Sequence, residues 1–247
     1  MPDALPALRA SIERLAAVVE ALDDAALERP AYPTEWTIAD ALSHIGSGAV
    51  IFERGLRDGL AGEETPADFN QSVWDDWNAR SPRAQADGAV AANAALLAAL
   101  EAVPAEQRAT FQRSFGPMVF DWDACVRLRL NEHLLHEWDV VVALDPGATL
   151  APDGVAIVVD NLDLTARFSA RPAGEPRTIT IETTDPDRRF AVTVEPDSVA
   201  LAEAESVVDA DVTLPAEQLV RLVYGRLDAA DGEPEPVTAL RAVFPGP

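Results

Sequence analysis

The spacing of apolar residues changes once along this chain, near residues 145–154, and that change limits the folds open to it. Upstream, apolar residues recur every three or four positions. Leu8, Ile12, Leu15, Val19 and Leu22 mark one face of a helix within residues 3–24. Downstream, "RTITIETT" and "RFAVTVEP" alternate apolar and polar residues around "DPDR", the pattern of a β-hairpin. The two periods bury different faces. The expected architecture is therefore α+β in two domains: a four-helix bundle over 1–147 and a small α+β domain over 148–247, joined through "DPGATLAPDG".

Local signals place the helices of the first part. A turn-rich segment, "ERPAYPTEW", follows the first helix. Thr37 and Asp40 then form T-x-x-D, a carboxylate variant of the capping box, and open a helix from about Ile38 to Leu60. "FNQSVWDDWNAR" reads as a short helix. Ser81 followed by Pro82 puts an N-cap before proline at the first helical position, opening a third long helix through "AVAANAALLAALEAV". The fourth runs from about Asp121 to Leu144. Four long helices in so short a stretch suggest a bundle. In the second part, residues 155–169 look helical and "SVALAEA" and "DADVTL" suggest further strands. Pro215 opens a helix over "PAEQLVRLVYGRL", and "VTALRAVFPGP" is weakly patterned.

Charge narrows the partners. The net charge of −23 repels nucleic acid and anionic membranes. All 19 cationic side chains are arginine, so an anionic substrate group has to be held by a guanidinium fork. No run of about 18 apolar residues is present to span a membrane. Cys125 is the sole cysteine, so no disulfide forms within the chain, which suits a reducing compartment. "MPDALPALRASIERL" lacks the basic-then-apolar order of a signal peptide. The cytoplasm is the expected location, as a monomer or a homodimer.

The chain has three histidines, and two of them stand in "NEHLLHEWD", residues 131–139. On a helix, Glu132 and His136 share a face. His44, on another long helix, is placed where a bundle can bring it opposite. Two imidazoles and one carboxylate suit a divalent cation such as Zn²⁺, and three protein ligands leave a position open for chemistry. His133 and Glu137 are also four apart, on a neighbouring face, so spacing alone leaves both pairs in play. Asp40, four before His44, is read either as a helix cap or as a partner of that imidazole. Asp139, three after His136, is read either as a partner of that ring or as a link to another helix. Arg129, three before Glu132, is a candidate to steady the carboxylate or bind substrate.

Taken together, "EWTIADALSHIG", "DDWNARS" and "RLNEHLLHEWDVVVAL" resemble the mycothiol-dependent maleylpyruvate isomerase family, part of a wider DinB-like group of metal-binding four-helix bundles. "ADVTLPAEQLVRLVYGRL" resembles that family's second domain, a small α+β unit similar to sterol carrier protein. The resemblance implies His44, Glu132 and His136 as metal ligands, with zinc the usual metal. It leaves His133 outside the set. It implies mycothiol as a low-molecular-weight thiol cosubstrate at the open position. Coordination deprotonates a thiol whose ordinary pKa is near about 8.5. Such a thiolate adds to an electrophilic small molecule, as an isomerase or an S-transferase would use it. Arg80 and Arg226 lie in the resembling segments and become candidates for holding carboxylates of substrate or thiol. The rival functions are a non-catalytic small-molecule or lipid carrier, a protein that keeps a metal for stability, and a hydrolase activating water.

Overall fold

The computed structural model describes residues 3–33, 35–115, 118–206 and 209–246. It divides into two compact units, Met1–Thr149 and Leu150–Pro247. Thr34, in the turn-rich segment, lies outside the described residues.

The first unit is built on four long helices. They are α1 (Leu5–Glu20), α3 (Ile38–Ala61), α5 (Pro82–Ala102) and α7 (Trp122–Leu144). Between them lie the short helices α2 (Asp24–Leu27), α4 (Phe69–Asn78) and α6 (Ala105–Arg108), and a hairpin of β1 (Gln112–Phe115) and β2 (Met118–Asp121). α3 packs on α5 and α7, and α1 packs on the same two helices, so the four close into a bundle. Leu8, Leu15, Ile38, Leu42, Ile45, Leu96, Leu100, Leu130 and Leu134 fill its interior with almost no exposed surface.

The helix starts follow the sequence signals. Thr37 Oγ1 accepts from the Asp40 backbone N–H at 3.1 Å, and the Thr37 backbone N–H donates to Asp40 Oδ2 at 2.9 Å. Asp40 is thus the second half of a capping box. Ser81 accepts from the Ala84 N–H at 3.4 Å, and Asp121 accepts from the Ala124 N–H at 2.8 Å. Caps of this kind stabilise a helix by about 1 kcal/mol each. Their larger use here is register, because they fix where His44 and Glu132 fall along α3 and α7.

The second unit holds α8 (Pro152–Val158), α9 (Leu162–Ser169), β3 (Arg177–Thr184), β4 (Arg188–Glu195), β5 (Ser198–Glu203), β6 (Val212–Pro215), α10 (Ala216–Val223) and α11 (Glu235–Val243). The sheet order is β5-β4-β3-β6, with β6 parallel to β3 and the other pairs antiparallel. Ile179, Ile181, Phe190, Val192 and Val194 bury one face of β3 and β4, as their alternation predicts.

Four details differ from the sequence reading. The β1–β2 hairpin carries no sequence signal strong enough to separate it from a loop. The helical run at 155–169 begins at Pro152 and is interrupted by a 3₁₀ turn at Val159–Asn161. The helix after Pro215 ends at Val223, because Gly225 turns left-handed at φ 66°. The weakly patterned C-terminal segment forms α11 and buries Val237, Leu240 and Val243.

Candidate metal centre

The stretch 44–48, His-Ile-Gly-Ser-Gly, shapes α3 where it faces its neighbours. A Cβ at Gly46 would sit 2.2 Å from the Trp77 ring and 2.9 Å from the Ala89 Cα. A Cβ at Gly48 would sit 3.1 Å from Arg129 Nη1. The two glycines let α5, Trp77 and a guanidinium approach α3 directly behind His44.

On the side facing α7, His44 meets Glu132 and His136. His44 Nε2 is 3.6 Å from Glu132 Oε2, and His136 Nε2 is 3.8 Å from the same oxygen. The two imidazole centroids are 4.4 Å apart. One ligand atom from each residue lies within 4.8 Å of the others. A first-row divalent ion holds N and O ligands at about 2.0–2.2 Å, so a small closing movement brings all three onto one cation. His44 and Glu132 keep 41% and 46% of their side-chain surface exposed, against 12% for His136. The cluster therefore opens to solvent on the His44 and Glu132 side.

The electrostatics prepare the donors. Burial pushes the Glu132 carboxyl up, but His44, His136 and Arg129 outweigh it and hold it at about 2. Burial lowers His136, against the pull of Asp139, and keeps its ring neutral at pH 7. An ionised carboxylate and a neutral imidazole are the states that bind metal. Nδ1 of His136 lies 2.8 Å from Asp139 Oδ2, and Asp139 is fully buried. A carboxylate accepts only, so Nδ1 carries the proton and Nε2 presents its lone pair toward Glu132. The Trp36 ring lies 5.2 Å from the His44 ring and 6.0 Å from the His136 ring, roofing the cluster.

The neighbouring face of α7 is used for structure. His133 Nδ1 is 2.7 Å from Ser11 Oγ, and that hydroxyl also donates to Glu137 Oε2. Arg14 Nε donates to Glu137 Oε1 at 2.8 Å. This polar knot joins α1 to α7 inside the bundle. Burial, with Arg129, His136 and Arg14 adding to it, keeps the His133 pKa well below its usual value.

Arg129 is buried, and its Nη2 donates to the Ile45 carbonyl at 3.0 Å and to Asn93 Oδ1 at 2.7 Å. Burial lowers its pKa to about 10 against the attraction of Glu132. Arg80 lies 3.9 Å above the Trp77 ring and pairs with Asp76 at 2.6 Å. Arg226 belongs to the second unit, where it is buried and donates to the Tyr224 carbonyl at 3.0 Å. Cys125 is buried, and burial raises its thiol to about 11, so it is no nucleophile at neutral pH. Asn93 and Ser11 have no sequence motif of their own, and Trp36 stands in "EWTIADALSHIG" without that stretch announcing its contact with both imidazoles. Asn93 is signalled only by being a polar residue within the otherwise apolar stretch "AVAANAALLAAL" of α5.

No helix among the described residues is long and apolar enough to cross a membrane. No curated protein sequence matches the chain. Two solved structures share its fold. A mycothiol-dependent maleylpyruvate isomerase is 16% identical with a TM-score of 0.68, covering 93% of this chain and 90% of that one. A histidine-to-alanine mutant of a mycothiol-dependent maleylpyruvate isomerase is 16% identical with a TM-score of 0.67, covering 90% and 88%. At that identity the likeness speaks for fold. A family model described as the mycothiol maleylpyruvate isomerase N-terminal domain matches residues 8–141, more than half of the chain and all three residues of the cluster, and the chain belongs to that family.

Proposed function

We propose that this chain is a mycothiol-dependent isomerase or S-transferase acting on an electrophilic small molecule, with one divalent cation, zinc in the first instance, held by His44, Glu132 and His136. The observation that supports it most directly is the convergence of these three donors, from two helices, within 4.8 Å. The cation would supply the acidity that turns a thiol near pKa 8.5 into a thiolate at neutral pH.

The chain's own residues have separable tasks. Asp139 fixes the tautomer and ring plane of His136. Glu132 brings the one negative charge of the set. Trp36 limits water on the roofed side. Arg80 keeps part of its surface in solvent, and its pair with exposed Asp76 is weak enough to yield to a substrate carboxylate. Cis–trans isomerisation by this route needs no redox partner. The bound thiolate would supply a nucleophile that can add to one carbon of a conjugated cis double bond and leave again as the same thiolate, with rotation about the single bond in between, so no atom or electron is gained or lost overall.

A second reading, activation of water for hydrolysis, uses the same donors. Cobalt separates the two. Protein loaded with Co²⁺ should take one ion per chain, and its visible spectrum should change on adding mycothiol. Turnover of a maleylpyruvate-type substrate should require that thiol. A spectrum indifferent to mycothiol, with hydrolysis independent of thiol, would replace this reading with the hydrolytic one.

A further inference from the structure

Resting on the metal-centre reading above, we infer that Asn93 and Arg129 form a positioning pair that sets the distance between the His44 helix and the Glu132–His136 helix. Three helices meet at one guanidinium. Arg129 rises from α7, one turn before Glu132. Its Nη2 donates to the carbonyl of Ile45, the residue after His44 on α3, and to Asn93 Oδ1 on α5. Asn93 Nδ2 donates in turn to the Ala89 carbonyl at 2.8 Å, which fixes which way its amide faces. Asn93 is 1% exposed and Arg129 5%.

The chemistry of burial makes the pair decisive. A guanidinium taken out of water demands acceptors. Those found for Arg129 belong to α3, which packs on α7, and to α5, which packs on α3. Gly48 completes the fit, since a Cβ there would press on Nη1 at 3.1 Å. The bonds tie a long guanidinium side chain to a backbone carbonyl and a short amide, all buried in a close-packed core, so packing around the chain makes the spacing they impose stiff. His44 reaches the cluster from α3 alone, and the other two donors from α7 alone. Any slip between these helices alters the two edges that meet at His44 and leaves the Glu132–His136 edge intact.

Asn93 lies outside the donor set, so the pair is tested by metal affinity rather than turnover. Asn93→Leu keeps the branched shape and removes the acceptor. We expect it to weaken Co²⁺ binding about 10–100-fold, the range found when partners behind metal ligands are lost, and to shift the cobalt spectrum. Asn93→Asp retains an acceptor for Arg129 and should restore affinity. Leu96→Ala, one turn along the same helix and fully buried, should lower thermal stability and leave affinity unchanged. Should Asn93→Leu not fold, Gly48→Ala displaces the guanidinium by a few tenths of an ångström and should weaken cobalt several-fold. Wild-type affinity in Asn93→Leu, or in Gly48→Ala where that variant replaces it, overturns the inference. So does a matching loss in Leu96→Ala, which would mean general softening. A wild-type protein that takes no cation at all overturns the metal reading itself, a different result from a cation bound equally well by every variant.

Discussion

Asp139 Oδ2 and His136 Nδ1 are 2.8 Å apart, and the carboxylate has no exposed surface. Burying a carboxylate beside an imidazole is costly, and its return here is a ring held in one plane and one tautomer. Asp139→Asn keeps the shape and replaces a pure acceptor with an amide. We expect metal affinity to fall about 10–100-fold, read by competition with a coloured chelator. Unchanged affinity would reduce Asp139 to a packing residue.

The two faces of α7 should separate on substitution. His44→Ala, Glu132→Ala and His136→Ala should each lose the one expected cation, measured by elemental analysis. His133→Ala should keep it. It should instead lose about 1–3 kcal/mol of stability, because Ser11 and Glu137 are left with a buried bond to remake. Metal kept in His136→Ala and lost in His133→Ala would reverse the assignment of faces.

Acid should destabilise the fold through His133. Its folded pKa is well below the usual 6.5, chiefly from burial. Below about pH 6.5 the unfolded chain binds a proton that the folded chain refuses. This contribution is fully present above pH 6.5 and is lost as pH falls toward the folded value. Urea midpoints at pH 5 and pH 7 should therefore differ less in His133→Gln than in wild type. Equal differences in the two proteins would assign the acid sensitivity to other groups.

Activity should follow the thiol. Mycothiol should outperform glutathione, and no turnover is expected without a small thiol. The rate should rise with pH and level off well below about 8.5, the pKa of an unassisted thiol. A rate still climbing through pH 8.5 would indicate a thiol that receives no help from the protein.

The first unit should carry the cation by itself. A fragment ending at Thr149 follows the boundary between the units. It should give a helical circular dichroism spectrum and bind one Co²⁺ per chain. Failure to bind, in a folded fragment, would mean that the donors depend on residues beyond Thr149.

Part of the cluster is legible in the sequence, where a local signal exists. Glu132 and His136 are four apart on a helix, and the caps at Thr37 and Asp121 set the starts of α3 and α7. What escapes a reading of the chain is contact between distant residues. Nothing near Ser11 announces His133, and nothing in "AVAANAALLAAL" announces that Asn93 faces Arg129. The choice between the faces of α7 turns on that missing information, since His133 and Glu137 are as well spaced as Glu132 and His136. Asp40 shows the converse case, in which a local motif decides. Both its oxygen contacts run to Thr37, three residues away. The strands β1 and β2, at four residues each, are too short for alternation to stand out.

The three histidines all stand in one unit, each in different surroundings: one half-exposed beside Trp36, one clamped by Asp139, one bonded to Ser11. A chain of 247 residues thus offers a nitrogen NMR spectrum of only three imidazoles. Each would watch a different event: the His44 signal the arrival of a ligand, the His136 signal the hold of its carboxylate, and the His133 signal the seam between α1 and α7. Nitrogen-15 enrichment is the one label required, and each resonance can be assigned by deleting one side chain.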